Sequence, residues 1–271
     1  MCLANKETLV ATGGRIYDYT ADGAEIIPVD SEHSAIFQLL EGVDIDEVNS
    51  IILTASGGPF WKSKRDLSQV SIDDVLAHPT WNMGPKITVD SATMMNKGFE
   101  VIEACTLFKV DVEKITVVIH PQSLVHSMIQ LVDGVIMAHI SPPDMRHNIQ
   151  YALLYPERLP NPTQPFDITA GNVLSFHPID YDYFPCLRLA EEVARKGGNL
   201  SAYLVGADDR VTRAFLSSQI SFDKIPFILE NTIEKAYYKQ NPSLEEIIQA
   251  IDNGFDLADE QIKELTERGA K

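Results

Sequence analysis

The sequence predicts an α+β domain with a mixed β-sheet, followed by an all-α domain. Short apolar runs typical of buried strands alternate with helical stretches up to residue 155. From residue 179 onward, apolar residues recur at spacings of three and four, which is typical of packed helices. Residues 156–178 contain five prolines and indicate an extended linker. We therefore expect four segments, at 1–28, 29–155, 156–178 and 179–271.

The individual elements follow from local patterns. Residues 48–54 form an apolar run that ends before Gly57 and Gly58, which predicts a buried strand. Residues 129–132 and 135–140 flank Asp133 and Gly134, a dipeptide that favours a hairpin. The other elements expected in the first part are a strand or helix at 7–11, strands at 24–28 and 114–120, and helices at 35–40, 71–76, 91–108 and 144–155. The last part predicts helices at 187–195, 202–216, 225–238, 244–251 and 258–267.

The charge balance narrows the classes of partner. Thirty-nine acidic residues against twenty-two basic ones give a net charge of −17, which disfavours nucleic acid and anionic membrane surfaces as partners. No apolar stretch approaches the length of a membrane span, and the first residues lack the pattern of a secretory signal. The cysteines, Cys2, Cys105 and Cys186, form no CxxC motif and are typical of a reducing compartment. We expect a cytoplasmic protein.

Two carboxylates lie close together at the predicted end of a strand. In the string PVDSEH (residues 28–33), Asp30 and Glu32 are two apart, so an extended backbone would direct both to one side. Converging carboxylates suit a hard divalent cation such as Mg²⁺ or Mn²⁺. The alternative is a plain helix start, in which Asp30 or Ser31 only caps the helix at 35–40.

A polar cluster marks the clearest predicted helix of the first part. Asn96, Glu100 and Glu103 recur at spacings of four and three, which places them on one helix face, with Lys97 beside Glu100. Gly98 within a helix costs about 1 kcal/mol relative to alanine, and indicates a close backbone approach or a nearby ligand. A surface ion pair between Lys97 and Glu100 is the alternative.

Two loops and two histidines complete the candidates. Ser56 and the two glycines after it can hold a phosphate through backbone amides, or form a plain turn. The string HPTWNMG (residues 78–84) places Trp81 in a loop, which indicates a lid over a ligand or an anchor to the core. His120 and His126 belong to no catalytic motif, and we interpret both as structural.

Eight strings occur in the order found in one family. They are LANKE (3–7), PVDSEH (28–33), TASGGPF (54–60), HPTWNMG (78–84), VDSATMMNKGFE (89–100), HPQS (120–123), PDMR (143–146) and YFPCL (183–187). On these strings the chain resembles the 1-deoxy-D-xylulose 5-phosphate reductoisomerases over nearly its whole length. The string at 89–100 is very specific.

The resemblance implies an NADP-dependent oxidoreductase and isomerase of non-mevalonate isoprenoid biosynthesis. Members of this family rearrange 1-deoxy-D-xylulose 5-phosphate, a phosphorylated sugar, to an aldehyde. They then reduce the aldehyde with NADPH to 2-C-methyl-D-erythritol 4-phosphate. The resemblance also implies a divalent metal (Mn²⁺, Mg²⁺ or Co²⁺), NADPH as second cofactor, and a homodimer.

Roles for individual residues are implied in the same way. Asp30, Glu32 and Glu100 would hold the metal, and together with His78 they would form the catalytic set. The implied substrate-binding residues are Lys6, Ser31, Glu32, Ser56, His78, Trp81, Met83, Ser91, Asn96, Lys97 and Glu100. Among these, the phosphate would contact Ser56, Ser91, Asn96 and Lys97, and the closing lid would include Trp81 and Met83. NADPH would contact Asn5, Glu7 and Gly84.

The sequence departs from the family pattern in three respects. Members open with a Rossmann-type domain that carries a Gly-rich loop, whereas here LANKE begins at residue 3 and no GxGxxG-like string occurs. We interpret residues 1–28 as the remnant of that domain. Asp208 and Asp209 stand where the family usually has Asn and Glu, which leaves open how the helical domain supports the site. The segment between Gln38 and Val48 is shorter than usual.

Three functional hypotheses follow. In the first, the chain binds and rearranges the phosphorylated sugar but has lost the reduction when it acts alone. In the second, it is a non-catalytic truncated homologue that acts as a binding or partner subunit. In the third, a separate nucleotide-binding polypeptide completes a split enzyme.

Overall fold

The computed structural model describes residues 1–20 and 24–269. Residues 21–23 and 270–271, which fall in the first and last predicted segments, lie outside the described residues. The helices among the described residues are α1 (Lys6–Thr12), α2 (Ser31–Leu39), α3 (Ile72–Leu76), α4 (Pro85–Thr93), α5 (Met95–Phe108), α6 (Met145–Leu154), α7 (Pro185–Lys196), α8 (Leu200–Leu216), α9 (Lys224–Lys235) and α10 (Leu244–Gly269). The strands are β1 (Cys2–Leu3), β2 (Ile27–Pro28), β3 (Val48–Ala55), β4 (Ile115–Ile119), β5 (Val125–Leu131) and β6 (Ile136–Ile140). The predicted α+β class with a mixed sheet and many helices is confirmed.

The first segment is a small parallel β-α-β unit. β1 pairs with β2 in parallel, with Cys2 opposite Ile27, and α1 lies between the two strands in the sequence. The side chain of Asn5 accepts a hydrogen bond from the backbone N–H of Thr8, which caps α1. Residues 7–11, left open between strand and helix, are therefore helical, and the strand predicted at 24–28 shortens to β2.

The larger sheet has the strand order β4-β3-β5-β6. β3 and β4 are parallel, whereas β5 is antiparallel to both β3 and β6, so the sheet is mixed. The predicted hairpin is confirmed, since Gly134 adopts a φ of +90° in the turn between β5 and β6. Because β3 and β4 run in parallel, Ala55 lies opposite Ile119 and the loops after both strands meet at one edge of the sheet.

The single helix predicted at 91–108 is wrong, because Met94 divides the segment into α4 and α5. Met94 has a φ of 63° and a ψ of 13°, a left-handed conformation that ends α4 and precedes α5. Its side chain is 2% exposed and packs into the core beneath the sheet. No glycine or proline marks this break, so the local pattern contained no signal for it. Burial of the side chain stabilises a backbone conformation that methionine rarely adopts.

The two helices predicted at 244–251 and 258–267 are also wrong, since α10 is continuous through both. A Cβ atom on Gly254 would lie 2.2 Å from the carbonyl oxygen of Tyr203 in α8. Likewise, a Cβ on Gly206 of α8 would lie 1.9 Å from the carbonyl oxygen of Ile251. These glycines therefore allow the two helix backbones to cross in contact, and Gly254 does not end a helix.

The close approach predicted at Gly98 is confirmed, and its neighbour is another helix. A Cβ atom on Gly98 would lie 2.4 Å from the Cβ of Ala190 in α7.

One hydrophobic core joins α1, α4 and α5 with α7 to α10, and a second lies between the large sheet and the helices α2 and α5. Residues before and after the predicted linker share the first core. The domain boundaries stay a prediction.

The segment predicted as a linker, residues 156–178, lies entirely within the described residues. It contains no helix or strand, and His177 forms a single β-bridge with Ile119. Within the described residues, no helix combines the length and the apolar character needed to cross a membrane.

Candidate active site

A cavity of about 400 Å³ opens where the loop after β3 meets the start of α2 and the junction of α4 with α5. The cavity wall contains every sequence-predicted metal and substrate residue, namely Lys6, Asp30, Ser31, Glu32, Ser56, His78, Trp81, Met83, Ser91, Asn96, Lys97 and Glu100. These residues span 95 positions of the chain, from Lys6 to Glu100. The tertiary fold thus brings together side chains that the sequence places in five separate strings.

The backbone that carries Asp30 and Glu32 to the cavity is the start of α2 and not an extended strand as predicted. Asp30 is the N-cap residue of α2 and Glu32 lies in its first turn, so the expectation of an extended backbone between them is wrong. The helix predicted at 35–40 begins four residues earlier, at Ser31. The Asp30 side chain makes no capping hydrogen bond and instead forms an ion pair with Lys6. This orientation argues against a role for Asp30 as a plain helix cap.

Glu100 faces the same point from α5 and is 1% exposed. Its Oε1 accepts a hydrogen bond from Nδ2 of Asn96 at 2.6 Å and lies 3.1 Å from Nζ of Lys6. Nζ of Lys97 pairs with the other oxygen of Glu100 and lies 3.0 Å from Oε1 of Glu32. Lys97 is 4% exposed. The alternative of a surface ion pair is therefore wrong, because this pair is buried.

The carboxylates fit a divalent cation. Ligand oxygens of Asp30, Glu32 and Glu100 all lie within 4.8 Å of one another. An all-oxygen donor set of this kind suits Mg²⁺ or Mn²⁺ better than a soft metal. Two ammonium groups, those of Lys6 and Lys97, accompany the three carboxylates, so the ionised cluster retains one negative charge for a cation.

The pKa values of the cluster respond to burial and to the two lysines. Burial, followed by repulsion from Glu32, raises the pKa of Glu100 to about 7. Burial alone would also raise the pKa of Asp30, but the combined attraction of its positive neighbours, with Lys6 first among them, outweighs burial and lowers the pKa. For Lys6 and Lys97 burial opposes the charge, yet the surrounding carboxylates raise both pKa values, so both lysines stay protonated. Glu100 is thus a carboxyl whose charge changes near neutral pH.

Glu103, predicted on the same helix face as Asn96, lies behind the cavity wall. Its Oε2 is 3.3 Å from Nδ1 of His33, a fully buried histidine of α2. Nε2 of His33 donates a hydrogen bond to the backbone carbonyl of Glu100 at 2.9 Å. This contact fixes the start of α2, with Asp30 and Glu32, against the part of α5 that carries Glu100.

The loop at Ser56 packs against the end of α4. Gly58 has a φ of +61°, which favours glycine, and a Cβ there would lie 2.9 Å from the carbonyl oxygen of Ser91. The backbone N–H of Gly58 donates to Oγ of Ser56 at 3.3 Å. The loop therefore brings the Ser56 hydroxyl close to the segment of Ser91, at the same cavity as Lys97.

His78 is held as a neutral hydrogen-bond donor. Its Nδ1 accepts hydrogen bonds from the backbone N–H groups of Thr80 and Trp81, at 3.1 and 2.9 Å. The proton therefore resides on Nε2, which lies 3.0 Å from Oγ of Ser56. Burial lowers the pKa of His78. The Trp81 ring of the same loop lies 6.5 Å from the ring of His126, so the loop reaches across the cavity towards β5.

The three residues predicted to contact NADPH lie outside this cavity wall. Asn5 caps α1, and its Nδ2 donates to Oε2 of Glu7 at 3.0 Å. Glu7 also lies 3.8 Å from Nζ of Lys86, and Gly84 is the N-cap residue of α4.

Several residues of the wall were missed by the sequence analysis. They are Ala4, Val29, Thr54, Ala55, Asn82, Ile87, Met94, His120, Ser123, Val125, His126, Met145 and Ile149. The structural interpretation of His120 agrees with its contacts, because Nδ1 donates to the Ser175 carbonyl and Nε2 accepts from the N–H groups of Leu124 and Val125. The wall residues that follow β4 could have been found from a predicted parallel pairing of β3 with β4. That pairing places the residues after β4 beside Ser56.

Two family models match the sequence. The first, described as the 1-deoxy-D-xylulose 5-phosphate reductoisomerase C-terminal domain, matches residues 26–108. The second, described as the DXP reductoisomerase C-terminal domain, matches residues 140–254.

Curated relatives extend the match to most of the chain. The 1-deoxy-D-xylulose 5-phosphate reductoisomerase of Endomicrobium trichonymphae is 46% identical over 251 residues, which cover 92% of this chain and 65% of the relative. That of Geobacter metallireducens is 50% identical over 236 residues, which cover 86% of this chain and 62% of the relative. The chain therefore spans slightly less than two thirds of the length of these relatives.

Solved structures show the same fold. A DOX-P reductoisomerase in complex with NADPH, fosmidomycin and magnesium is 37% identical, with a TM-score of 0.88 over 97% of this chain and 70% of that chain. The 1-deoxy-D-xylulose 5-phosphate reductoisomerase from Zymomonas mobilis in complex with NADPH is 40% identical, with a TM-score of 0.89 over 96% of this chain and 68% of that chain.

Proposed function

Because this chain belongs to the 1-deoxy-D-xylulose 5-phosphate reductoisomerase family, we propose that its cavity binds 1-deoxy-D-xylulose 5-phosphate with a divalent cation and rearranges it to the aldehyde. One observation carries the proposal: the carboxylates of Asp30, Glu32 and Glu100 converge within 4.8 Å in the wall of a cavity of about 400 Å³. The solved relative that holds fosmidomycin and magnesium supports it.

We assign the cation, Mg²⁺, Mn²⁺ or Co²⁺, to Asp30, Glu32 and Glu100. When bound, it supplies Lewis-acid polarisation of the carbonyl and hydroxyl oxygens of the sugar. The chain keeps its ligands in place through neighbouring donors, because Asn96 donates to Glu100 and Lys6 pairs with both Asp30 and Glu100. Held in this way, the carboxylates need little rearrangement when a cation binds.

The phosphate of the substrate is assigned to Ser56, Ser91, Asn96 and Lys97. The Lys97 ammonium supplies a local positive charge on a chain whose net charge is −17. The hydroxyl groups of Ser56 and Ser91 and the amide of Asn96 can add hydrogen bonds to phosphate oxygens. Such hydrogen bonds are stronger because the phosphate is charged. The close packing of the Ser56 loop on Ser91 supports this grouping.

The remaining cavity residues are assigned to the sugar and to exclusion of water. Lys6, Ser31 and His78 contact the sugar backbone, and the proton on Nε2 of His78 is available for donation to a sugar oxygen. Trp81 and Met83 lie in the loop before α4 and cover the bound sugar. Closure by apolar side chains removes water and strengthens every charged contact inside.

Reduction to 2-C-methyl-D-erythritol 4-phosphate needs NADPH, and we propose that residues 1–28 form part of the domain that binds it. The parallel β-α-β unit of this segment supports that assignment. Asn5, Glu7 and Gly84 would face the nicotinamide. No GxGxxG-like string occurs in these 271 residues, so we propose that they reduce the aldehyde only together with a nucleotide-binding unit that carries such a string. The other proposed units are 29–155, the linker 156–178 and the helical domain 179–271.

We also propose a cytoplasmic homodimer that pairs through the edge of the large sheet. β6 is an edge strand, and Ile136 and Ile140 on it are exposed, as are Ile149 and Leu153 on α6. An exposed apolar edge is typical of a surface that pairs with another chain. Sedimentation velocity should give twice the chain mass, and a charged substitution at Ile136 should shift it to the monomer.

Calorimetric titration with the phosphorylated sugar tests the main proposal. We expect binding in the presence of Mn²⁺ and none after chelation, because the sugar oxygens and the carboxylates meet at the cation. Glu100→Gln should weaken binding, whereas Glu113→Gln, which changes an exposed ion pair with Arg195, should not. Absence of binding with Mn²⁺ present would overturn the proposal and favour the non-catalytic binding subunit. Product analysis after incubation then separates rearrangement from simple binding.

A further inference from the structure

A second cluster of charges, two buried carboxyl groups and a lysine whose side chain is 34% exposed, lies between α4 and α8, outside the cavity wall. Lys86 and Asp90 belong to α4, and Asp208 belongs to α8. Nζ of Lys86 lies 2.7 Å from Oδ2 of Asp90 and 2.7 Å from Oδ2 of Asp208. Asp90 is 3% exposed and Asp208 is 1% exposed. Two buried carboxyl groups therefore depend on one ammonium group.

Full ionisation would leave this cluster with an excess negative charge away from water. A buried charge without a partner is strongly disfavoured, and the usual response is uptake of a proton. Burial, followed by repulsion from Asp208, raises the pKa of Asp90 to about 8. Burial also raises the pKa of Asp208, although the Lys86 ammonium opposes this. Burial of two carboxyl groups around one ammonium therefore favours uptake of a proton by the pair.

The other ionisable groups around the cluster do not supply a second positive charge. Glu7 of α1 lies 3.8 Å from Nζ of Lys86, and Asp209 follows Asp208 in α8, so both add negative charge. From α7, the Cys186 thiol faces the two carboxyl groups, and burial and then Asp208 raise its pKa, so it stays neutral. Among the described residues, Lys86 is the cation whose charge acts on both carboxyl groups.

We propose that Asp208 is a positioning residue that shares one proton with Asp90 and thereby holds α4 against α8. Oγ1 of Thr212 on α8 lies 3.5 Å from Oδ1 of Asp90, a further contact between the same two helices. Asp90 directly precedes Ser91, which lines the cavity. Loss of the shared proton places two negative charges on one ammonium, so the helix that carries Ser91 is held less firmly.

The direction of the pH effect follows from the raised pKa. The folded protein binds this proton more tightly than the unfolded chain does, because the ordinary pKa of an aspartic acid is about 3.9. The stability that depends on the proton is therefore present at acidic pH and is lost as the pH rises through about 8.

Urea unfolding of the full chain at a series of pH values, in chelator, tests the proposal. We expect the midpoint of the wild-type protein to fall between about pH 6 and about pH 9, with uptake of about one proton on folding due to this pair. Asp208→Asn keeps the size and polarity of the side chain and should remove that contribution. Asp182→Asn is the matched control, since it deletes an equal charge at the surface, where Asp182 is 97% exposed and lies 3.5 Å from Arg188.

A second variant and a second measurement separate the shared proton from general destabilisation. Asp90→Asn should reduce the pH dependence in the same way, because either change leaves one carboxyl group for one ammonium. Amide exchange of α4, corrected for intrinsic rates, should accelerate in the wild type as the pH rises towards about 8 and level off above it, and should stay flat in Asp208→Asn. A pH dependence in Asp208→Asn equal to that of the wild type, or α4 exchange that ignores pH in the wild type, would overturn the proposal.

Discussion

Removal of the Lys97 ammonium tests the charge balance of the carboxylate cluster. Lys97 is 4% exposed and pairs with Glu32 and Glu100, so Lys97→Met leaves the three carboxylates with Lys6 alone. Breaking a buried ion pair by removing one partner costs about 3–5 kcal/mol. Lys6 still lies 3.1 Å from Glu100, so we expect a loss near 3 kcal/mol in the free energy of unfolding.

A divalent cation should reverse most of this loss. A ligand that binds only the folded state, at about 100 times its Kd, contributes about 2.7 kcal/mol. Without the Lys97 ammonium the cluster is more negative and attracts a cation more strongly. We therefore expect Mg²⁺ to stabilise Lys97→Met more than the wild type, as measured by urea unfolding with tryptophan fluorescence in Mg²⁺ and in chelator.

The matched control is Lys64→Met, because Lys64 pairs with Asp180 at 2.6 Å on the surface. Exposed pairs contribute little to stability, so this variant should unfold like the wild type with and without the cation. The reasoning is refuted if Lys97→Met equals the wild type in chelator, or if Mg²⁺ stabilises both proteins to the same extent.

Three further changes have defined outcomes. Gly254→Ala places a Cβ 2.2 Å from the Tyr203 carbonyl oxygen and should lower the free energy of unfolding by about 1–3 kcal/mol, whereas Gly14→Ala, with open space around it, should leave the thermal midpoint unchanged. Equal midpoints in both variants would contradict the close helix crossing. Asn5→Ala removes the cap of α1 and should cost about 1 kcal/mol in urea unfolding; no loss would mean that the cap contributes nothing. In chelator, the free energy of unfolding should fall as the pH rises towards the Glu100 pKa of about 7, because the folded state binds the proton of the Glu100 carboxyl more tightly than the unfolded chain does. Excess Mg²⁺ should flatten this dependence. An unchanged slope with Mg²⁺ would argue against Glu100 as a ligand.

Local patterns were sufficient wherever a structural element depends on its own residues. The hairpin at Gly134 follows the predicted dipeptide, and helix α3, with Ser71 as its cap, lies within the helix predicted at 71–76. The polar residues Asn96 and Glu100 do meet on one face of α5, as their spacing predicts. In each case the partners are at most a few residues apart, so the sequence contains both halves of the interaction.

Local patterns failed wherever a distant segment decides the conformation. Met94 breaks a helix because its side chain is buried beneath the sheet, and Gly254 continues a helix because α8 lies against it. Asp30 turns away from the helix that it begins because Lys6 offers an ion pair. The sequence contains these residues but no sign of the neighbours that select their conformations.

The sequence by itself determined the family, the types of side chain at the candidate site and the alternation of strands and helices. Only the tertiary structure decided that Asp30, Glu32 and Glu100 converge within 4.8 Å, that the ammonium groups of Lys6 and Lys97 partly balance them, and that Asp90 and Asp208 share Lys86. The physical reason is the range of the forces involved. Backbone propensity and capping act over a few residues, whereas charge balance and desolvation depend on which distant side chains are buried together.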